Sequence, residues 1–304
     1  MRNATIALTF AAVFAMFGCH RASQLHRTFA TPDDAVRALI DAAKAGKMDD
    51  LRAIFGPDAG DLIASADPAI ARQNREVFVA AAAERSQLVD QGESSKVLVV
   101  GNERWPFPVP LAKVADGWQF DTAAGKEEIL DRRIGRNELA AIRLCHTYVA
   151  AQRLYASHGH DGRPAGGYAT SFRSTPGKED GLFWPAAHGQ RRSPLGDLVA
   201  QAAVEGTPLG TTGQPAPFHG YYFRILTAQG ADATGGAKDY VTNGHMTGGF
   251  ALVAWPAQYD VTGITTFVVN QDGVVREKDL GPETDATVKS MPHYNPDSSW
   301  PTVQ

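Results

Sequence analysis

The chain has 304 residues, of which 43% are hydrophobic and 20% charged, and its formal net charge is −4. That length supports two ordinary domains, each able to bury a core without disulfide staples. The mildly acidic balance carries none of the clustered basic surface that nucleic-acid binding needs, so no nucleic-acid partner is expected.

The N-terminus carries the strongest local signal. Arg2 precedes an uncharged apolar run, Ile6 to Phe17, which Gly18 and Cys19 close before polar residues such as His20 and Arg21 follow. The run has the length of a signal-peptide core and falls short of the ~20 residues of a membrane span. A small residue just before Cys at the end of such a run resembles the bacterial lipobox. Met16 is acceptable there, and Phe17 is bulkier than usual. The expectation is a signal peptide over residues 1–18, lipidation at Cys19, a tether over 19–28, and a periplasm-facing protein held on the outer or inner membrane. An ordinary cleaved signal or an uncleaved anchor is the alternative. With Cys19 acylated, Cys145 is left alone and no intramolecular disulfide can form.

Beyond the tether, Thr31-Pro32-Asp33-Asp34 reads as a helix start, with a capping hydroxyl, proline in the first turn and acids at the positive end of the dipole. Val36, Leu39, Ile40 and Ala43 make its apolar stripe, and Gly46 stops it. A short helix follows over Asp49 to Phe55, and a third over 69–85 with Ile70, Val77 and Phe78 as its apolar residues. Lys96 to Val100 then reads as a strand, and Pro108 to Phe120 as a hairpin turning at Asp116-Gly117. Residues 29–121 are thus expected to form one α+β domain. Residues 123–157 are strongly helical, with a kink or break at Gly135 and a core-facing stripe of Leu139, Ile142, Cys145, Tyr148, Val149, Gln152 and Tyr155. Residues 158–218 are rich in Gly and Pro, a loop stretch long enough to carry function, with one helix expected at Leu195 to Val204. Strands resume at Tyr221 to Ala228, Gly249 to Trp255, Ile264 to Asn270 and Val274 to Lys278, and an irregular tail is expected after Leu280.

Three resemblances follow from these stretches. The Ala35-Val36-Arg37-Ala38-Leu39-Ile40 helix, followed by Lys47-Met48-Asp49-Asp50-Leu51, resembles the opening of NTF2-like domains, in which helices pack on a curved sheet. The order Asn137 to Ile142, Ala151 to Tyr155, Gly220 to Ile225, Gly249 to Pro256 and Gly263 to Arg276 is similar to the globular head of type IV pilin-like proteins. That implies a long helix packed on an antiparallel sheet over residues 122–304. A pilin stalk needs an apolar N-terminal helix continuous with the head, whereas here charged residues such as Lys126, Asp131 and Arg133 precede it, so pilus-type assembly is not expected. Finally, Trp105 to Pro110, Ser174 to Lys178, Gly181 to Ala186 and Lys278 to Pro282 resemble an uncharacterised bacterial envelope family, domain of unknown function 2950, over nearly the whole chain from Phe29. That family implies no catalytic residue.

No zinc-protease, dithiol, P-loop or nucleophile-elbow motif is present. His158, His160 and Asp161 form the densest donor cluster, a candidate metal site, and the bland reading is a polar loop just past a helix end. Cys145 and His146 suggest a thiolate and its base, but neighbouring helix residues point about 100° apart, which favours a buried structural Cys. Gln152, polar on an inner face, is expected to bond loop backbone. Trp105, Trp184, His188, His219 and Trp255 are candidate residues of a groove for a peptide, a glycan or an envelope protein, against a reading of the tryptophans as core. No cofactor is expected. Two functions compete: a non-catalytic envelope lipoprotein that binds or scaffolds, and a metal-dependent or other hydrolase built on the His-rich loops.

Overall fold

The computed structural model describes residues 26–63, 68–186, 191–196 and 217–303. The expected signal peptide, Cys19, His188 and most of the expected helix at Leu195 to Val204 lie outside them. The class is α+β, as the sequence implies, and the chain divides into two compact units between Glu128 and Ile129. Among the described residues no helix is long and apolar enough to cross a membrane.

In the first unit, helix α1 (Pro32–Ala45) starts as its sequence dictates. The Thr31 hydroxyl accepts from the Asp34 amide at 3.1 Å, and Gly46, at φ 66°, ends the helix in the left-handed conformation. Ala35, Val36, Leu39, Ala42 and Ala43 are its buried face. Helix α2 (Met48–Phe55) buries Leu51, Ile54 and Phe55. A 3-10 turn at Pro57–Ala59, the short α3 (Gly60–Ile63) and α4 (Pro68–Glu84) follow. Of the apolar residues of α4, Ile70 and Val77 are exposed and Phe78 packs 5.2 Å from Phe107.

The sheet of this unit runs β1 (Ser86–Asp90), β2 (Ser95–Val100), β4 (Leu111–Val114), β5 (Gly117–Phe120), with the two-residue β3 (Trp105–Pro106) also paired to β2. All pairings are antiparallel, and Val114 faces Gly117 across the tight turn expected at Asp116. Strand β1 was not legible, because its half-exposed Ser-Gln-Leu-Val-Asp pattern shows little alternation. Phe29 extends the sheet beyond β5, exchanging two backbone hydrogen bonds with Trp118. Phe55, Phe107 and Phe120 meet in the core at centroid distances of 5.3 to 6.3 Å.

Helix α5 runs unbroken from Thr122 to Ala156, so Gly135 neither kinks nor ends it. In the second unit its buried face is Ala141, Leu144, Cys145, Tyr148, Val149, Gln152 and Tyr155, whereas Leu139 is exposed. This face lies on an antiparallel sheet of order β13 (Arg276–Asp279), β12 (Thr265–Asn270), β11 (Ala251–Pro256), β6 (Tyr221–Leu226). Two small hairpins, β7 (Ala228–Gln229) with β8 (Lys238–Asp239) and β9 (Val241–Thr242) with β10 (His245–Met246), fill the β6–β11 connection.

Side chains alternate across a strand, so the pairing register assigns each residue a face. Tyr221, Leu252, Phe267 and Val269 face α5: Tyr221 Oη reaches Glu138, and Tyr148 Oη of the helix donates to the Ala251 carbonyl. The other face carries Arg224, Val253, Trp255, Val268 and Arg276. It is covered by the C-terminal segment, which is not irregular as the sequence implies. Thr284–Ser290 forms helix α6, Trp255 Nε1 donates to Asp285 at 3.1 Å, and Arg224 donates to the Val288 and Met291 carbonyls. The chain then reaches the β13 edge, where Glu277 and Val303 donate to Pro301 and Val275, and Arg276 donates to the Trp300 carbonyl. With both faces covered, every residue of β11 is buried, which an antiparallel strand open to water on one side would not allow.

Gly117 tests this packing. It sits at φ 145°, and a Cβ there would collide with the Phe29 carbonyl oxygen. Gly117→Ala is expected to destabilise the first unit by about 2 kcal/mol or more. Gly46→Ala, at φ 66° with open space around it, is expected to cost about 1 kcal/mol. Chemical denaturation followed by circular dichroism ranks the two, and equal costs would contradict the close approach of Phe29.

Candidate functional site

The loop after α5 gathers ionisable and aromatic groups, among them His158, His160, Asp161, Glu179, Asp180 and Trp184. Its backbone has few ladder partners, so side chains must supply them. Gln152, fully buried on α5, does most of this. Its amide nitrogen donates to the Ala169 carbonyl at 2.7 Å, and its amide oxygen accepts from the Ala169 amide at 2.9 Å. It thereby pins the loop in the way a strand partner would, the role its position on the inner face implies. A third bond runs from its nitrogen to Tyr148 Oη.

His160 is the second anchor. It is 7% exposed, stacked on Tyr155 at 3.8 Å, with the Trp184 ring edge-on at 5.7 Å. Nε2 lies 2.9 Å from the Tyr155 carbonyl oxygen, which can only accept, so Nε2 holds the hydrogen and donates. Nδ1 faces Glu179 Oε2 at 3.0 Å. Tyr155 Oη donates to the Glu179 carbonyl, and the Asp161 carboxylate accepts from the Glu179 amide. Burial, then the negative charges of Asp161 and Asp180, push the Tyr155 phenol up to about 12. Burial also acts to raise Asp180, but hydrogen bonds from the Thr175 amide and hydroxyl outweigh it and hold that carboxyl below its ordinary value.

These bonds place His158, His160 and Asp161, the expected donor cluster, in a network internal to the protein. Both His160 nitrogens and the Asp161 carboxylate are engaged by the protein. His158 is exposed and turns Nδ1 to the Ser157 hydroxyl. Among the described residues no three His, Cys, Asp or Glu side chains converge as a metal ligand set would. Of the candidate groove residues, two tryptophans lie inside. Trp184 and Trp255 are 6% and 7% exposed, and their indole N–H groups donate to Arg191 O and Asp285. They are core side chains with satisfied donors rather than walls of an open groove. His219 sits at a left-handed backbone position, φ 45°, with its ring edge-on to Phe218. Trp105 belongs to the first unit and is 46% exposed beside Phe107.

Cys145 is fully buried, and burial pushes its thiol up to about 12. His146, next on the helix, is exposed. The two therefore do not form a thiolate and base.

A site the sequence reading missed lies in the first unit. Arg27 and Phe29 of the entry segment, one face of α1 and the start of α2 enclose a cleft of about 430 Å³. Its polar lining is three cations, Arg27, Arg37 and Lys47, and three carboxylates, Asp34, Asp41 and Asp50. Arg37 pairs with Asp34 at 3.4 Å and Lys47 with Asp50 at 3.9 Å, both exposed. The Arg27 guanidinium lies over the Phe29 ring at 4.8 Å. The signal for it was present as the polar face of an amphipathic helix, but such a face is ordinarily just solvated, and nothing in the spacing of α1 marks it as concave.

Two outcomes test the buried groups. Gln152→Leu removes both loop bonds and strands the Ala169 amide and carbonyl, an expected loss of about 3 kcal/mol in the second unit by denaturant titration. A loss under 1 kcal/mol would show that the loop is held elsewhere. For Cys145, both folded and unfolded chains keep the thiol proton below about pH 9. Between there and about 12 only the folded chain keeps it, so stability falls as pH rises, by up to about 1.4 kcal/mol per pH unit. Tyr155 adds to the fall above about 10. Alkaline denaturation that flattens from pH 9 to 11 in Cys145→Ala, and Cys145 that resists thiol reagents until unfolding, are the expected results.

No curated protein and no solved structure matches the chain. The model of one family, described as a protein of unknown function, DUF2950, matches residues 26–303. This stretch takes in both units, from the entry segment to the strand-like C-terminus on β13, and the chain belongs to that family.

Proposed function

We propose that this protein is an exported bacterial envelope lipoprotein, anchored through Cys19, that binds or scaffolds rather than catalyses. The observation that carries the reading is the order at the N-terminus. Arg2, an uncharged apolar run from Ile6 to Phe17, Gly18 and Cys19 stand in that order, a few residues ahead of His26, where the described residues begin. A leader of that length delivers a chain, and acyl groups on Cys19 would then hold it, since two or more chains give stable membrane attachment.

Binding is favoured over hydrolysis by where the chemically capable side chains sit. His160, Glu179, Asp161 and Gln152 hold the loop to α5, and the Cys145 thiol is buried. An acid or base at work needs a free path to a substrate atom, and a nucleophile needs a base within reach. The cleft of the first unit, open to solvent and lined with weakly paired charges, is the place a ligand would enter.

Metabolic labelling with a palmitate analogue in a bacterial host tests the anchor. Wild-type protein is expected to incorporate the label and to fractionate with membranes, while Cys19→Ser loses the label completely. Label retained in Cys19→Ser, or an unlabelled wild-type protein cleaved elsewhere and free in the periplasm, would overturn the reading.

A further inference from the structure

We propose that the cleft between the entry segment and the α1–α2 corner binds a phosphoethanolamine-type zwitterion, the headgroup of a membrane phospholipid. The charge inventory leads there. The Arg37–Asp34 and Lys47–Asp50 pairs neutralise themselves. What remains is the Arg27 guanidinium, which has no carboxylate partner among the described residues, and the Asp41 carboxylate on the facing helix α1. One unbalanced cation and one unbalanced anion in a single cleft complement a ligand that carries both signs. A plain anion would meet three carboxylates, and a plain cation three basic side chains.

The chemistry of Arg27 selects the anion. Its planar fork matches the paired oxygens of a phosphate or a carboxylate, its position over Phe29 holds that fork in place, and the lipid surface beside the anchor makes phosphate the anion at hand. Asp41 then takes the ammonium group. The two existing pairs are exposed, and pairs of that kind contribute little, so a ligand reorganises them at small cost. The volume, about 430 Å³, is in the range of small-molecule sites.

The source of the ligand rests on the lipoprotein reading above. Cys19 and His26 are separated by a segment whose contour length is at most about 25 Å. An acylated Cys19 therefore keeps the entry segment, and the cleft built on it, within reach of the lipid headgroups.

The test uses the mature protein in an uncharged maltoside detergent, titrated with soluble glycerophosphoethanolamine and followed by nitrogen-15 NMR at the Arg27 side chain. Saturable binding is expected, weakened about tenfold or more by Arg27→Gln and by Asp41→Asn, as befits the loss of one charge-assisted bond. Glycerophosphate, which lacks the ammonium group, is expected to bind more weakly and to be indifferent to Asp41→Asn. Nanodiscs containing phosphatidylethanolamine are expected to displace the soluble headgroup, and nanodiscs of phosphatidylglycerol alone are not. Unsaturable binding, equal affinity for glycerophosphate, or affinity unchanged in both variants would overturn the site. Binding without displacement by the nanodiscs would overturn its assignment to a membrane lipid. Because the probe is soluble, the cleft is read out whether or not Cys19 carries acyl chains, so failure here is distinct from failure of the labelling experiment.

Discussion

The second unit depends on one buried amide. A loop that leaves the end of α5 and runs through Ala169 to Trp184 forms only isolated bridges, so its peptide groups lack the regular partners a helix or sheet supplies. Gln152 resolves this at the deepest point of the loop. It presents a donor and an acceptor with the geometry of a peptide, and Ala169 pairs with it as with a neighbouring strand. His160 repeats the device past the end of α5, binding the Tyr155 carbonyl with one nitrogen and Glu179 with the other. A histidine near the negative end of a helix is favourable in any case, and here the stacking of Tyr155 adds to it.

The C-terminal segment solves a second problem of the same kind. The sheet β13-β12-β11-β6 would expose one face and the β13 edge. Arg224 and Arg276 project from the open face, and instead of facing water they donate to carbonyls of the returning chain. Residues 301–303 then pair with the edge itself. An edge so covered offers no template for pairing with another chain. One guanidinium nitrogen of Arg224 donates to two carbonyls at the end of α6, while its buried Nε has no partner among the described residues.

The fold class was legible because its signals are local. The α1 cap, Gly46, the hairpin at Asp116-Gly117 and the four long strands of the second unit each rest on a few adjacent residues whose preferences agree. The failures are equally particular. Leu139 was read as core because it is large and apolar and follows the helical spacing, but burial is a one-way rule, and a helix with more apolar residues than its contact face needs leaves some outside. Helix α6 escaped notice because Thr-Asp-Ala-Thr-Val-Lys-Ser has weak helical propensity. Its stability comes from Val288 against the sheet and from Trp255 and Arg224 holding its two ends, contacts made by residues at least 30 positions away. Gly135 did not break α5 because a single glycine costs only about 1 kcal/mol in a helix that tertiary packing holds on both sides of it.

The same logic separates the two candidate sites. Density of histidine and carboxylate in a sequence marks where polar groups are needed, and a loop folded against a helix end needs them for its own backbone. In the loop of the second unit, both nitrogens of the buried histidine and the Asp161 carboxylate already have partners, so bringing a ligand in would first unfasten the loop. In the cleft of the first unit the balance is reversed. The Arg27 amide ties the entry segment to the Ala53 carbonyl of α2, but among the described residues the Arg27 and Asp41 side chains hold no neighbouring element by a hydrogen bond, and the pairs beside them are exposed i,i+3 contacts that contribute little to the stability of α1 and α2. A surface whose charged side chains are free of structural duty is one where ligand affinity and fold stability can vary independently, which is what the proposed binding at the cleft requires.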